Sequence, residues 1–365
     1  MIPSTEVTPS REKTRRPASR PDLRKVVVSK AGSYDRLVLA RGPALRPGAG
    51  EVVIDVRAIG VNYADCMVRM GLYESAKEFV GWPITPGFEV AGVVAEVGDG
   101  VTDLAVGDRV FAITLFHGYA TEVRVRREYV FRMPGDLSFE RAAAFPSVFL
   151  TAWFALHELA HPRRGAKVLV HSAAGGVGTS LLQLARRAGC EVTGVVGSTH
   201  KIEVARAHGA HHVIDKSKAD LWAEAKKIAP GGFDVVCDAN GVETLKKSYD
   251  NTRTSGKLVI YGFHTMIPKQ GGKPNWIKLA ADYLRTPRFN PLDLTNESKS
   301  ILSFNLSYLY DRTDILREAM TDLLGWLEAG EIQAPQVTTY GLDRVADAHR
   351  DIESGKTTGK LVLVP

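Results

Sequence analysis

A chain of 365 residues, 44% hydrophobic and 24% charged, has the composition of a soluble globular protein and the length of about two domains. It holds no uninterrupted apolar run of roughly 18 residues, which argues against a membrane span, and its three cysteines, Cys66, Cys190 and Cys237, are too scattered for a disulfide framework or a metal cluster. The formal charge is +6, but half of it falls in residues 1–24, so the remainder is only mildly basic and nucleic acid has no compositional support as a partner.

That first segment sets Arg11, Lys13, Arg15, Arg16, Arg20 and Arg24 against Glu6, Glu12 and Asp22, among Pro, Ser and Thr. Without an apolar core of its own it is expected to be a disordered basic tail rather than a secretory signal, and the protein is expected in the cytoplasm, where thiols stay reduced. From about Lys25 to Met133, short β-type runs alternate with Gly and Pro turns: "KVVVSK", "EVVIDVRAIGV", "FEVAGVVAEVG", "GDRVFAI", "YATEVRV" and "YVFRMP". This pattern predicts a mostly antiparallel barrel or sandwich. From about residue 167 to 310 the rhythm becomes strand, helix, strand, with "KVLVHS", "EVTGVVGS", "HHVID", "FDVVCDA" and "GKLVIYGF" separated by helical stretches. Such alternation predicts a parallel, doubly wound sheet with helices on both faces, so the fold class is α/β with a β-rich partner domain. The chain closes with two helices and the strand of "GKLVLVP".

Between the first of these parallel strands and its helix lies "HSAAGGVGTS", in which Ala173, Gly175 and Gly178 follow the spacing G-x-G-x-x-G with the first glycine replaced. Bare backbone at Gly175 and Gly176 lets a pyrophosphate approach the helix N-terminus, and Gly178 lets the helix pack on the sheet. In that setting the motif predicts a nicotinamide dinucleotide. An enzyme using NAD carries an acidic residue about 20 positions on, to hold the ribose hydroxyls. Here the chain reads "GVVGSTHK", with Ser198 and Lys201 and no carboxylate, which suits the 2′-phosphate of NADPH; Lys201 as a merely solvated helix residue is the alternative.

The motifs "GVNYADCMVRMGLY", "PGFEVAGVVAEVGDGV", "GDRV", "FPSVFLTAW", "AAGGVG" and "TTGKLVLVP" together resemble the medium-chain dehydrogenase/reductase superfamily, specifically its zinc-free quinone oxidoreductase branch. Within that branch, "NLSYLYD" and the long basic insert before it look most like the vesicle amine transport protein homologues. The resemblance implies a GroES-like catalytic domain made of residues 25–147 and 311–365, and a Rossmann dinucleotide-binding domain at 148–310. It places Asn62 beside the nicotinamide and Tyr73 in the substrate pocket as a hydrogen-bond donor, with Tyr63 and Asp65 flanking the same loop. Asn62 and Asp65 also suit the start of the helix "YADCMVRMG", so capping is a second use for both. Cofactor contacts carry over to Thr151, to Ala174, Gly175, Gly176, Val177 and Gly178, to Asn240, to Tyr261, Gly262 and Phe263, to Phe304 and Asn305 at the nicotinamide edge, and to Lys360 facing the pyrophosphate. Relatives commonly have tyrosine where this chain has Lys216, which loses an adenine-stacking face but can pair with a 2′-phosphate.

The resemblance also bears on metal. Zinc enzymes of this superfamily have cysteine where this chain has Asn62 and histidine where it has Phe88, and neither replacement is a zinc ligand. Cys66 and Glu89 are too few to hold the ion. No metal is therefore expected, and the implied substrate is an acceptor that is already electrophilic, a quinone or an α,β-unsaturated carbonyl compound. Residues 264–300 mix Lys, Arg, Pro and aromatics and are expected to cover the cleft or contact another subunit. An alternative is contact with an anionic membrane through Trp276, Lys278, Arg285 and Arg288, in a protein that binds NADPH but catalyses little. The strand expected from "SILSFNLSYLY" resembles the edge by which relatives form a homodimer.

Overall fold

The computed structural model describes residues 22–267 and 271–365. Most of the expected basic tail, residues 1–21, lies outside the described residues. Its last positions do not: β1 (Leu23–Val27) already begins within it, with Leu23 buried, and pairs antiparallel with β2 (Val38–Gly42).

The β-rich unit is a seven-stranded sheet built around β3 (Glu51–Val61), whose run "EVVIDVRAIGV" is buried along most of its length. One edge of β3 pairs with β4 (Glu89–Val97), followed outward by β5 (Arg109–Ile113) and, after β6 (Glu122–Arg126) in the chain, β7 (Val130–Arg132). On the other edge, Glu51–Asp55 pair with β6. These ladders are antiparallel, as alternating short runs joined by Gly and Pro turns predict.

The second unit is a six-stranded parallel sheet of β8 (Lys167–Val170), β9 (Glu191–Val196), β10 (His212–Asp215), β11 (Phe233–Asp238), β12 (Thr252–Ile260) and β13 (Ser300–Ser303). Its spatial order is β10-β9-β8-β11-β12-β13. Strand order thus reverses between β8 and β11, and such a reversal opens a crevice at the carboxyl ends of the two strands. The glycine loop after β8 and the turn after β11 both end there.

Beyond β13 the chain returns to the first unit through the helix Thr313–Glu328, β14 (Val337–Gly341), the helix Val345–Ser354 and β15 (Lys360–Val364). β15 pairs antiparallel with the last residues of β3, and the residue before it, Gly359, bridges Gly175 of the glycine loop. The two units therefore touch where Lys360 begins the final strand.

One expectation after the insert needs correction. "SILSFNLSYLY" is a strand only over Ser300–Ser303, because the Asn305 side chain accepts the Ser307 N–H at 3.1 Å and starts a 3₁₀ turn at Leu306–Leu309. The segment before it forms the helices Trp276–Arg285 and Pro291–Glu297, capped by Asn275 and Asn290. Among the described residues no helix is long and apolar enough to cross a membrane.

Candidate functional site

The glycine loop is shaped by sterics. Ser172 takes a left-handed φ of 53° and donates its hydroxyl to Asn240 Oδ1 at 3.0 Å, tying the loop after β8 to the turn after β11. A Cβ on Gly178 would lie 2.3 Å from the Ser172 carbonyl oxygen and 2.8 Å from Ala173 Cα, so only glycine lets the helix Gly176–Arg187 sit this close to the strand end. Ala173 occupies the fingerprint's first glycine position, and the room for its methyl comes from Gly194 on β9, where a Cβ would approach it to 2.9 Å. At Gly175 a Cβ would meet nothing nearer than Ser172 O at 3.4 Å, which leaves the approach open. The first-turn N–H groups of Gly176, Val177 and Gly178 have no acceptor earlier in the helix, and together with the helix dipole they form an anion cradle. The residues present fit the diphosphate of a dinucleotide.

Against this cradle stands a buried polar cluster. Lys360 Nζ lies 2.5 Å from Asn62 Oδ1 and 2.6 Å from Glu89 Oε1; Asn62 Nδ2 donates to the same Glu89 oxygen at 2.9 Å, and the Ser147 N–H donates to Glu89 Oε2 at 2.7 Å. Glu89 is fully buried and the Lys360 side chain 4% exposed. The helix Pro146–Trp153 carries Ser147, packs Val148 on Gly176, and spends the Thr151 hydroxyl on Ser147 O at 2.6 Å.

Asp65, on the helix Tyr63–Met70, does not face this cluster. Its Oδ2 accepts the Asn62 N–H at 2.7 Å and its Oδ1 the Gly87 N–H at 2.9 Å, so it holds the start of its own helix and the strand-leading turn at Gly87. Burial pushes its carboxyl up to about 7. Tyr63 packs tilted against the His264 ring, centroids 4.4 Å apart, and donates to the His264 carbonyl at 3.2 Å; Thr265 in turn donates from its N–H and its hydroxyl to Asn240 O. The start of the insert thus spans from the helix Tyr63–Met70 to the turn after β11.

The opposite wall is aromatic. Tyr73 packs edge-on to Phe88 and Phe116 and donates to Asn305 Oδ1 at 2.8 Å, while Phe304 lies between Phe154 at 4.8 Å and Tyr261 at 6.5 Å. Gly262 runs close over Ala239, and Phe263 is exposed beside it. At the far end of the crevice, Ser198 precedes a 3₁₀ turn, Lys201 Nζ reaches Gly355 O at 2.6 Å, and the exposed Lys216 passes over Gly197. A carboxylate does stand near, Asp215 at the end of β10, but the Ser217 and Thr199 hydroxyls bind it and hold it below the usual carboxylate range.

Comparison with known proteins agrees with this arrangement. Residues 48–151 match the alcohol dehydrogenase GroES-like domain and residues 176–322 the zinc-binding dehydrogenase domain. The rat synaptic vesicle membrane protein VAT-1 homologue is 36% identical over 347 residues, spanning 94% of this chain and 85% of that protein. The chain belongs to the medium-chain dehydrogenase/reductase superfamily. Within it, this medium-chain dehydrogenase/reductase stands with VAT-1 homologues and quinone oxidoreductases. A Burkholderia 2-haloacrylate reductase is 33% identical over 346 residues, covering 93% of this chain and 98% of its own. The structure of Escherichia coli quinone oxidoreductase complexed with NADPH superposes with a TM-score of 0.80 at 26% identity, covering 94% of this chain and all of that one. The protein is an oxidoreductase of GroES-like and Rossmann-type units.

Of the residues expected in the site, the structure brings Asn62, Lys360, Thr151 and the glycine loop together, and sets Tyr73, Phe304 and Asn305 together on the aromatic wall. Tyr63 meets the insert, and Lys201 and Lys216 lie at the end of β9. Sequence reasoning missed Ser172, Gly194, Ser147 and Gly359, and it named Glu89 only as a leftover zinc ligand. Cys66 does not join Glu89 either. It lies with His349 and Glu353, their ligand atoms within 4.8 Å of one another. The Arg69 guanidinium already fills that cluster, at 3.0 Å from His349 Nδ1 and 2.7 Å from Glu353 Oε1, so a fixed cation stands where a metal would have to go.

Proposed function

We propose that this oxidoreductase reduces quinones or α,β-unsaturated carbonyl compounds with NADPH. The observation that carries the reading is the Asn62–Glu89–Lys360 cluster beside the glycine loop. The side chains at this junction are an amide, a carboxylate and an ammonium already bonded to one another, with Phe88 turned into the aromatic wall. That donor set cannot hold a Lewis acid to polarise an unactivated alcohol, so the acceptor must be electrophilic in itself.

NADPH held at the cradle would supply the hydride for the conjugated carbon, with negative charge developing on the carbonyl oxygen. The chain's own residues do the rest. The Gly176–Gly178 amides and the Lys360 ammonium bind the diphosphate, Asn62 orients the nicotinamide, and the Phe88–Phe116 wall takes a flat acceptor away from water. Tyr73 presents a phenol that burial keeps well protonated, a hydrogen-bond donor for the developing oxyanion once it leaves Asn305. The final proton comes from water. Lys201, Lys216 and Ser198 select the 2′-phosphate, and the exposed edge of β13 pairs two subunits.

Titrating the nicotinamide fluorescence should show NADPH binding at least about tenfold more tightly than NADH, the worth of one charge-assisted contact. Equal affinities would remove the 2′-phosphate assignment. A panel of quinones and enones supplied with NADPH should give turnover on at least one member, and a protein that binds NADPH but turns over none of them is not the reductase described.

A second reading is favoured by the insert's surface. Trp276, Ile277, Tyr283 and Leu284 are exposed on one helix and Leu292 on the next, while Asp282 is buried beneath them. The alternative is then an NADPH-binding protein that works mainly by resting this face on an anionic membrane. Lys278 does not serve it as expected, because its ammonium turns inward to Asp282 and Thr265 O. Salt-sensitive sedimentation with anionic vesicles that is lost on neutralising Arg285 and Arg288 would support this reading; indifference of binding to both substitutions would end it.

A further inference from the structure

The helices Tyr63–Met70 and Val345–Ser354 enclose a buried polar chain separate from the Asn62–Glu89–Lys360 cluster. Arg69 is fully buried, its guanidinium 4.5 Å from the face of Tyr34. It donates to Gly32 O at 3.3 Å, to Gly272 O at 3.1 Å, to Glu353 Oε1 at 2.7 Å and to His349 Nδ1 at 3.0 Å. Glu353 also accepts from the Tyr34 hydroxyl at 2.6 Å. His349 Nε2 lies 3.0 Å from the Tyr119 hydroxyl, and the Tyr119 N–H donates to Pro86 O at 2.8 Å, which sets this residue beside Asp65 at the Gly87 turn. Arg69, His349, Tyr119 and Asp65 are each 0% exposed.

The directions of the two bonds at His349 are fixed by its partners. A guanidinium only donates, so His349 Nδ1 must accept and the ring proton must sit on Nε2. That proton is donated to the Tyr119 oxygen, which leaves the phenol proton to turn toward Asp65. Asp65 in turn receives the N–H groups of Asn62 and Gly87. The chain therefore begins where the insert, through Gly272, meets the helix leading to Gly359 and Lys360, and it ends on the backbone that carries Asn62 and Phe88.

We propose that Arg69, His349 and Tyr119 are positioning residues, a one-way hydrogen-bond chain that fixes Asn62 and the Gly87–Phe88 turn against the cofactor crevice through Asp65. The kinetic part of this inference rests on the reductase reading; the structural part does not.

Three variants test it. Tyr119→Phe removes only the hydroxyl. His349→Leu breaks the chain at the ring. His349→Gln restores both bonds, since an amide can accept from Arg69 with its oxygen and donate to Tyr119 with its nitrogen. On an acceptor that the wild type reduces, Tyr119→Phe and His349→Leu should lower kcat about tenfold while the NADPH dissociation constant stays within about twofold, the pattern of a misplaced orienting group rather than a lost binding contact. His349→Gln should recover kcat to within about threefold of wild type. Hydrogen exchange supplies the readout that needs no turnover: amides in 62–66 and 85–89 should exchange faster in Tyr119→Phe and His349→Leu, and at the wild-type rate in His349→Gln. Unchanged exchange of both segments in Tyr119→Phe overturns the proposal, as does a His349→Gln variant no better than His349→Leu. If His349→Leu does not fold, Tyr119→Phe decides alone. A wild type without turnover defeats the reductase reading, and the exchange data still judge the chain.

Discussion

Replacing Gly178 with valine should lower NADPH affinity by about a hundredfold, the worth of roughly two charge-assisted hydrogen bonds. The added Cβ would stand 2.3 Å from Ser172 O and 2.8 Å from Ala173 Cα, both of them backbone atoms that no rotamer change can move. Relief requires the helix Gly176–Arg187 to back away from the end of β8. A shift of about 1 Å takes its first-turn N–H groups out of hydrogen-bonding range of a bound diphosphate. Overpacking of this kind should also cost about 1–3 kcal/mol of stability. Gly175→Ala is the informative companion. Its Cβ meets Ser172 O at 3.4 Å and its φ of −83° suits any residue, so the fold should be undisturbed while the methyl stands where the diphosphate approaches. Calorimetric titration with NADPH on both variants checks this. Undiminished binding by Gly178→Val would mean that the cradle is not where the cofactor sits.

The second large effect is expected at Lys360. Replacing it with methionine strands the Glu89 carboxylate, fully buried, with only Asn62 Nδ2 and the Ser147 N–H for partners. Removing one member of a buried ion pair costs about 3–5 kcal/mol, and thermal unfolding should register it. Adding Glu89→Gln removes the orphaned charge and should restore most of the stability, since the amide oxygen can still accept from Ser147. NADPH affinity should not return in the double variant, because the diphosphate responds to the missing cation. Recovery of affinity together with stability would make Lys360 a structural residue alone.

What the sequence discloses, and what it withholds, follows from how locally each feature is determined. The glycine loop is legible because strand, turn and helix lie within a dozen or so residues, and each glycine answers a contact with its own neighbourhood, Gly178 with Ser172 above all. The parallel strands are legible as apolar runs buried on both faces. β14 is not, because "VTTYG" is short, half polar and stabilised by its parallel pairing with β15. β13 is read too long, because nothing in an apolar run announces that Asn305 will turn its side chain back to Ser307. The Arg69 chain is the extreme case. Tyr34, Arg69, Tyr119, His349 and Glu353 meet across as many as 319 positions, and only the return of the C-terminal helix to the first unit brings them together. Read from sequence, Asp65 could serve catalysis or cap its helix equally well; the structure gives both of its oxygens to backbone N–H groups, which makes it a support for Asn62.

Hydride delivery from NADPH to a conjugated carbon is the central expectation, and isotope transfer tests it. The protein is given an enone acceptor with NADPH deuterated on one or the other face of C4, and the product is analysed by mass spectrometry and NMR. One face alone should deliver deuterium, and the label should appear at the β carbon, while unlabelled NADPH in heavy water should place deuterium at the α carbon instead. Folded, NADPH-binding protein that yields no labelled product from any enone or quinone, or product labelled at the β carbon from solvent, would contradict the account.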